Sequence, residues 1–589
     1  MARIRVPGVF FEERVREDRS IGLGETGVPA FVGVAERGPL NEPTKVRSMA
    51  HYRQIYGSPV PRSYLADCVE GFFKNGGKFC FIVRVAHIFR RGRGELARKA
   101  RYELLDREGY PAIEVTASSE GAWGNEIAIS VQKPETPRVQ TFLTLDLNEN
   151  EQRATLQSTR GLDAGMVIRF SDGENERYVV LTQVRGPEVM WRGVVGKAFK
   201  SASPTYVEPL EFNLFVKTRL KSEKFLHLSV SPGAGRNLVR VINSESDLIR
   251  VRDLDSVSPL PVNMPEEIDG LMLRGGRDGL DGISPEDIIG YNNGPDARYG
   301  LGALEANDEI DLVAVPDLHF ASAHCSGFKS ERDVVGVQKA VLDHCERMGE
   351  RFALLDTPDA TSYEGVLDWR LRYESAFGAL YYPWLVMVHD GEKRRIPPVG
   401  HIAGLISRCD REEGVHRAPA NLPLEGVVDT AVVLQEGHLA ELNAKGINSI
   451  RSFPVRGIRP WGARTLSNEP EWRFMTTRRV MNAVRRAIHE NTQWVVFEPN
   501  NSDLQKKVQT AVQDFLRMLW SSGYFKGDVQ DDAFYVLCNE NNNSNEEIES
   551  GTLVVDIGVA PSRPAEFISM RLEHTVEDRR LGDMEDLGV

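Results

Sequence analysis

The sequence predicts a multidomain α/β (α+β) protein, in which an α/β layer carries β-rich inserts and is flanked by extended terminal arms. Three observations support this. At 589 residues the chain exceeds one hydrophobic core, since domains typically hold roughly 100 to 200 residues. Residues 271–420 alternate strand and helix patterns: DEIDLVAVPD, KSERDVVGVQKAVLDHCERMG, RFALLD, a second helix, then ALYYPWLVMV. That alternation is the signature of a largely parallel sheet. Residues 101–265 instead give short alternating strands such as GMVIRFSDG, ERYVVLTQV and FLHLSVSPG, punctuated by turn residues, as β-rich modules require.

In chain order, residues 1–28 form an arm, because Ile4, Val6, Val9 and Phe11 alternate like a strand and are followed by a charged run and GLGETG. Residues 29–100 open with the strand PAFVGVAERG, pass a helix around SYLADCVEGFF and end in the buried-strand run FCFIVRVAHIF. The β-rich inserted domain or domains occupy 101–265, and an α/β domain follows at 266–420. A last domain, 421–575, holds amphipathic helices near 471–490 and 502–521 and ends in strands GTLVVDIGVA and AEFISMRLEH, before a charged tail at 576–589.

Composition narrows the function. A net charge of -13 excludes a dedicated nucleic-acid binder, whose affinity rests on clustered Lys and Arg. Six scattered cysteines without a CxxC pair fit reduced thiols. The N-terminus lacks the apolar core of a signal peptide and no run of 18 apolar residues occurs, so synthesis in the cytoplasm without membrane insertion is expected.

No motif assembles a catalytic or cofactor site, and no cofactor or metal is expected. Gly22, Gly24 and Gly27 satisfy a dinucleotide fingerprint in spacing, yet a charged arm precedes them and a strand follows, so they read as a hinge. GFFKNGGKF at 71–79 misses the phosphate-loop spacing and places Phe79 where a hydroxyl belongs. His324-Cys325 and His344-Cys345, with His319, lack zinc spacing; Cys345 falls on an apolar helical stripe with Val337, Val341 and Met348. Asp317 and Asp356 end apolar strands, where carboxylates cap the next turn more readily than they catalyse. The chain is therefore read as a non-enzyme.

Assembly is the better theme. The helix at 502–521 puts Leu504, Val508, Ala511, Val512, Phe515 and Leu519 on one face and Lys506, Gln509, Thr510, Gln513 and Arg517 on the other. The earlier helix turns Val480, Val484 and Ile488 inward, with Arg478, Arg479, Arg485 and Arg486 assigned to its polar side. Both chain ends carry strand-like segments outside the cores, 4–11 and 566–574, the latter with Phe567, Ser569 and Arg571. Such strands either join their own sheet or add to another subunit's sheet edge.

Several segments, in order, resemble the phage tail sheath protein family. They are PGVFFEE, AFVGVAERGPLNEP, SYLADCVEGFFKNGGKFCFIVRV, ASSEGAWGN, LRGGRDG, ALEANDEIDLVAVPD, RFALLDTPD, YYPWL, PPVGHIAGLISRCDREEGVHRAPAN, LNAKGINSIRSFPVRGIRPWGARTL and QWVVFEPN. Residues 130–265 depart most from that pattern.

The resemblance implies a C-terminal α/β sheath core domain facing an inner tube, with decorated outer domains. It implies hexameric rings stacked in a helical sheath, terminal arms that add strands to neighbouring copies, and contraction that drives the tube through a target envelope. Partners implied are further copies of the chain, the inner tube protein, and baseplate and terminator or cap proteins. By position Lys506, Lys507, Gln513 and Arg517 correspond to the tube-contacting helix, with Arg478 and Arg485 as further candidates, and the glycines at 22, 24 and 27 would absorb arm rotation. Alternatives are a non-contractile baseplate or adhesion protein of the same kind of particle, or an α/β enzyme.

Overall fold

The computed structural model describes residues 20–89, 94–295, 297–359, 361–389 and 391–566. The expected arm strands, on Ile4, Val6, Val9 and Phe11 and on Phe567, Ser569 and Arg571, lie outside the described residues. Two compact units form. The larger comprises residues 23–414 and 419–475, the smaller residues 20–22, 415–418 and 476–566.

An eight-stranded sheet organises the larger unit. Its strands are β1 (Pro29–Gly33), β2 (Thr44–Val46), β3 (Cys80–Arg84), β4 (Leu312–Ala314), β5 (Phe352–Asp356), β6 (Gly378–Tyr382), β7 (Ile447–Phe453) and β8 (Gly457–Pro460). Their spatial order is β2-β3-β1-β4-β5-β6-β7-β8. Strands β3 to β7 in that order run parallel, and the edge strands β2 and β8 are antiparallel to their neighbours. Segments that read as separate in sequence, 29–100 and 266–420, therefore share one sheet, with Pro29 registered to Leu312. A buried parallel strand is an apolar run on both faces, and such a run carries no mark of which distant strand it will pair with.

Successive residues feed opposite layers. Val32, Val83, Val313, Leu355 and Leu380 point to a core shared with α2 (Glu331–Met348). Phe31, Ile82, Leu312, Leu354 and Ala379 point to a core shared with α1 (Leu65–Lys74) and α3 (Val399–Glu412). Helix α2 starts at a reciprocal capping box between Ser330 and Asp333 and stops at Gly349 with φ 72°. Its buried stripe includes Val337, Val341 and Cys345. Helices α1 and α3 touch backbone to side: a Cβ at Gly400 would lie 2.3 Å from the Cys68 carbonyl oxygen, and one at Gly404 2.3 Å from that of Phe72.

Between β3 and β4 the chain builds three antiparallel sheets around two cores. Three- and four-stranded sheets enclose Val115, Ile129, Leu214 and Ile242; a six-stranded sheet encloses Ile168, Phe170, Trp191 and Phe199. The buried Arg84 guanidinium ties β3 to this insert, donating to the carbonyls of Ala35 at 2.9 Å, Gly38 at 3.0 Å and Glu120 at 2.9 Å.

The smaller unit contains α4 (Met475–Asn491) from its second residue onward, α5 (Ser502–Ser521) and a two-stranded antiparallel sheet of β9 (Phe534–Leu537) and β10 (Asp556–Val559).

Candidate assembly surfaces

Helix α5 is capped by the Asn501 side chain, which accepts the N–H groups of Asp503 at 3.1 Å and Leu504 at 2.9 Å. Leu504, Val508, Val512, Phe515, Leu516 and Leu519 are buried. Lys506, Lys507 and Arg517 are exposed, and Gln513 is half-buried on the flank. Lys506, Gln513 and Arg517 recur at helical spacing and so form one stripe. The Arg517 guanidinium is partly compensated by Asp514 at 2.6 Å, whereas Lys506 and Lys507 have no ion pair among the described residues.

Helix α4 departs from its sequence reading. Arg485 is exposed and Arg478 half-buried, but Arg479 and Arg486 are 3% and 4% exposed. Apolar periodicity assigned all four arginines to one polar side. The actual buried face is wider than the Val480–Val484–Ile488 stripe, and long guanidinium side chains can be enclosed when their donors are satisfied. Burial first, and then the nearby Arg485, pull the Arg478 guanidinium down to about 10.

Neither outer edge of the β9–β10 sheet carries a further strand among the described residues. Phe534 and Val536 are buried, while Tyr535 between them is 60% exposed. An isolated two-stranded sheet is marginal in water and offers free N–H and C=O groups along its edges.

The glycine run divides. Gly22 and Gly24 are exposed, and the division between the two units falls between Gly22 and Leu23. Gly27 is instead buried at φ 70°, and a Cβ there would lie 2.7 Å from the Ser407 Cα. Its N–H donates to Asp311 Oδ2 at 2.9 Å, and that of Val28 to Oδ1 at 2.5 Å. Gly27 is thus a close-packing position at the entrance to β1 and not a free pivot, which leaves Gly22 and Gly24 as the exposed glycines of the run.

The strand-end carboxylates are internal fastenings. Asp317 is fully buried and accepts four hydrogen bonds: from the N–H groups of Val34 at 2.8 Å, Tyr64 at 2.5 Å and Leu65 at 3.1 Å, and from the Ser63 hydroxyl at 3.2 Å. It caps α1 rather than the helix that follows it, a partner that sequence spacing could not reveal. Burial pushes its carboxyl up to about 6 against the pull of those donors. Asp356 is also buried, its carboxyl raised well above the usual range by desolvation. Of the proposed soft ligands, Cys345 packs in the core and His344 Nε2 lies 2.7 Å from the Arg351 guanidinium. Among the described residues, no group of three or more His, Cys, Asp or Glu side chains could hold a metal ion, and no helix is long and apolar enough to cross a membrane.

Comparison with known proteins bears on these surfaces. Residues 304–466 match the phage tail sheath protein central domain, and residues 467–575 the phage tail sheath C-terminal domain. A tail sheath protein of Vibrio phage KVP40 is 25% identical over 320 residues, covering 49% of this chain and 47% of the relative. The chain thus spans about half the length of that relative. A putative prophage major tail sheath protein of Pseudomonas aeruginosa is 27% identical over 307 residues, covering 49% of this chain and 72% of the other. Among solved structures, the contracted helical sheath of the anti-feeding prophage aligns over 97% of this chain and 100% of its own, with TM-score 0.51 and 21% identity. The sheath tail protein of Listeria innocua aligns over 92% and 97%, with TM-score 0.52 and 13% identity. At such identities the structures speak to the fold, whereas the two contiguous sequence matches speak to descent over residues 304–575, which match the central and C-terminal domains of phage tail sheath proteins.

Proposed function

We propose that this chain is the structural subunit of a contractile sheath, polymerising as stacked hexameric rings around an inner tube and shortening to drive that tube through a target envelope. The observation that carries the reading is the β9–β10 sheet, whose two outer edges carry no further strand among the described residues. Strands donated by neighbouring copies would satisfy those edges, and a one-directional donation is a heterologous contact that propagates into rings and helices. The terminal segments 4–11 and 566–574 have the alternating pattern of such donors.

In this reading the exposed Lys506 and Arg517 of the α5 stripe, with the adjacent exposed Lys507, meet the tube through salt-screened contacts. Individually weak contacts guide assembly and release during contraction. Energy is held as the difference between two subunit packings behind a kinetic barrier, and no reaction is catalysed. Gly22 and Gly24 supply the pivot between a paired arm and its own subunit. The particle would add baseplate and cap proteins at the ends.

Electron microscopy and sedimentation of the purified full chain test this, beside a variant lacking residues 1–20. Helical tubes from the full chain and folded, unpolymerised subunits from the deletion are expected. Ordinary tubes formed by the deletion would remove the strand-donation mechanism.

A further inference from the structure

The charge of this acidic chain is distributed unevenly near its end. Residues 442–468 contain the basic residues Lys445, Arg451, Arg456, Arg459 and Arg464 and no Asp or Glu. Residues 527–562 contain Asp528, Asp531, Asp532, Glu540, Glu546, Glu547, Glu549 and Asp556 and no Lys, Arg or His. Each stretch is a contiguous reversal of the other.

The basic stretch is a built surface. Strands β7 and β8 form a hairpin at the edge of the eight-stranded sheet. Its outer backbone is already occupied, since Asn421 and Leu424 donate to the carbonyls of Pro460 at 2.8 Å and Ile458 at 2.9 Å. What the hairpin offers is side chains. Arg451 lies over the rings of Phe453 at 4.4 Å and Trp461 at 6.0 Å, and Arg456 over Phe453 at 5.5 Å. Stacking holds these planar guanidinium groups in place and leaves the Arg451 donors free for carboxylates, while one Arg456 N–H donates to Asn421 Oδ1 at 3.3 Å and its others remain available. Neither Arg451, Arg456 nor Arg459 has a carboxylate partner among the described residues. At the tip Val455 is fully exposed at φ 68°. A β-branched residue in the left-handed region is strained, and an exposed apolar one gains from burial.

We propose that this hairpin docks on a second copy of the chain, against the exposed acidic residues of the 528–556 segment. The proposal rests on the sheath reading and adds to it a side-chain contact separate from strand donation. Copies of net charge -13 repel one another, so a propagating lattice needs local sign reversal where the copies meet. Asp528, Asp531, Asp532, Glu546 and Glu549 are exposed, and the described residues give them no Lys or Arg partner. Basic and acidic patches at different places on one chain make a heterologous contact that repeats.

The test uses the full chain carrying Arg451→Glu and Arg456→Glu, a second variant carrying Asp528→Lys, Asp531→Lys and Asp532→Lys, and a mixed chain carrying all five changes. Sedimentation and electron microscopy measure the polymerised fraction, and circular dichroism the fold. Each partial variant should stay folded and polymerise at least about tenfold less, and the five-change chain should recover most of the wild-type yield. Wild-type yield from the Arg451/Arg456 variant, or no recovery in a folded five-change chain, overturns the docking proposal alone. A wild-type chain that forms no polymer overturns the sheath reading with it.

Discussion

The Asp317 carboxylate accepts the backbone N–H of Leu65 at 3.1 Å, across 252 residues of chain. That bond, with those from Val34, Ser63 and Tyr64, fastens the first segments of the sheet to the segment after the insert. Replacing the carboxylate with a methyl group removes the acceptor of the buried N–H groups of Val34 and Leu65 and of the part-buried N–H of Tyr64, leaving Leu65 only a long contact of 3.4 Å to the Ser63 hydroxyl. Asp317→Ala should therefore cost about 3 to 5 kcal/mol, read as a lower urea midpoint with an unchanged slope. A loss under about 1 kcal/mol would mean water replaces the carboxylate.

The same group gives a pH dependence of defined sign. Its folded value of about 6 lies above the reference value of 3.8, so the folded chain holds the extra proton between those values. The stabilisation is complete below about pH 4 and lost as pH rises through 6, amounting to about 3 kcal/mol. Denaturation of dispersed subunits, compared with Asp317→Asn across this range, isolates the effect. A difference that stays flat with pH would refute it.

Gly22 and Gly27 should respond oppositely to a methyl group. Nothing lies within 4 Å of a Cβ at Gly22, whereas one at Gly27 meets backbone at 2.7 Å with φ 70°. Gly27→Ala should destabilise the subunit by about 1 to 3 kcal/mol. Gly22→Ala should stay within about 0.5 kcal/mol yet slow contraction, if residue 22 bends as proposed. Thermal melts and time-resolved microscopy separate the two.

Charge reversal on α5 tests the tube contact. Lys506→Glu with Lys507→Glu should change stability by no more than about 0.5 kcal/mol, because both side chains are exposed. Co-sedimentation with the particle's own tube protein should fall at low salt, and the wild-type interaction should weaken as salt is raised. Equal binding by the variant at every salt concentration would assign the tube contact to another surface.

Much of the chain was legible in its residues. The apolar stripe of α5, the Val337–Val341–Cys345 face of α2 and the short strands of the insert follow from local periodicity. Each of those elements buries one face, and burial of one face is what periodicity records. The inward turn of Arg479 and Arg486 escaped because a stripe identifies the centre of a buried face and not its width.

By itself the sequence determined the classes of element, the segregation of basic and acidic stretches, and the family resemblance. Tertiary structure alone decided that β1 lies beside β4, that Asp317 caps α1, and that Gly27 is clamped by Asp311. Backbone hydrogen bonds are the same for every residue type, so a strand's composition fixes that it is buried without naming its neighbour. That choice is made only when segments hundreds of residues apart are brought into register in space.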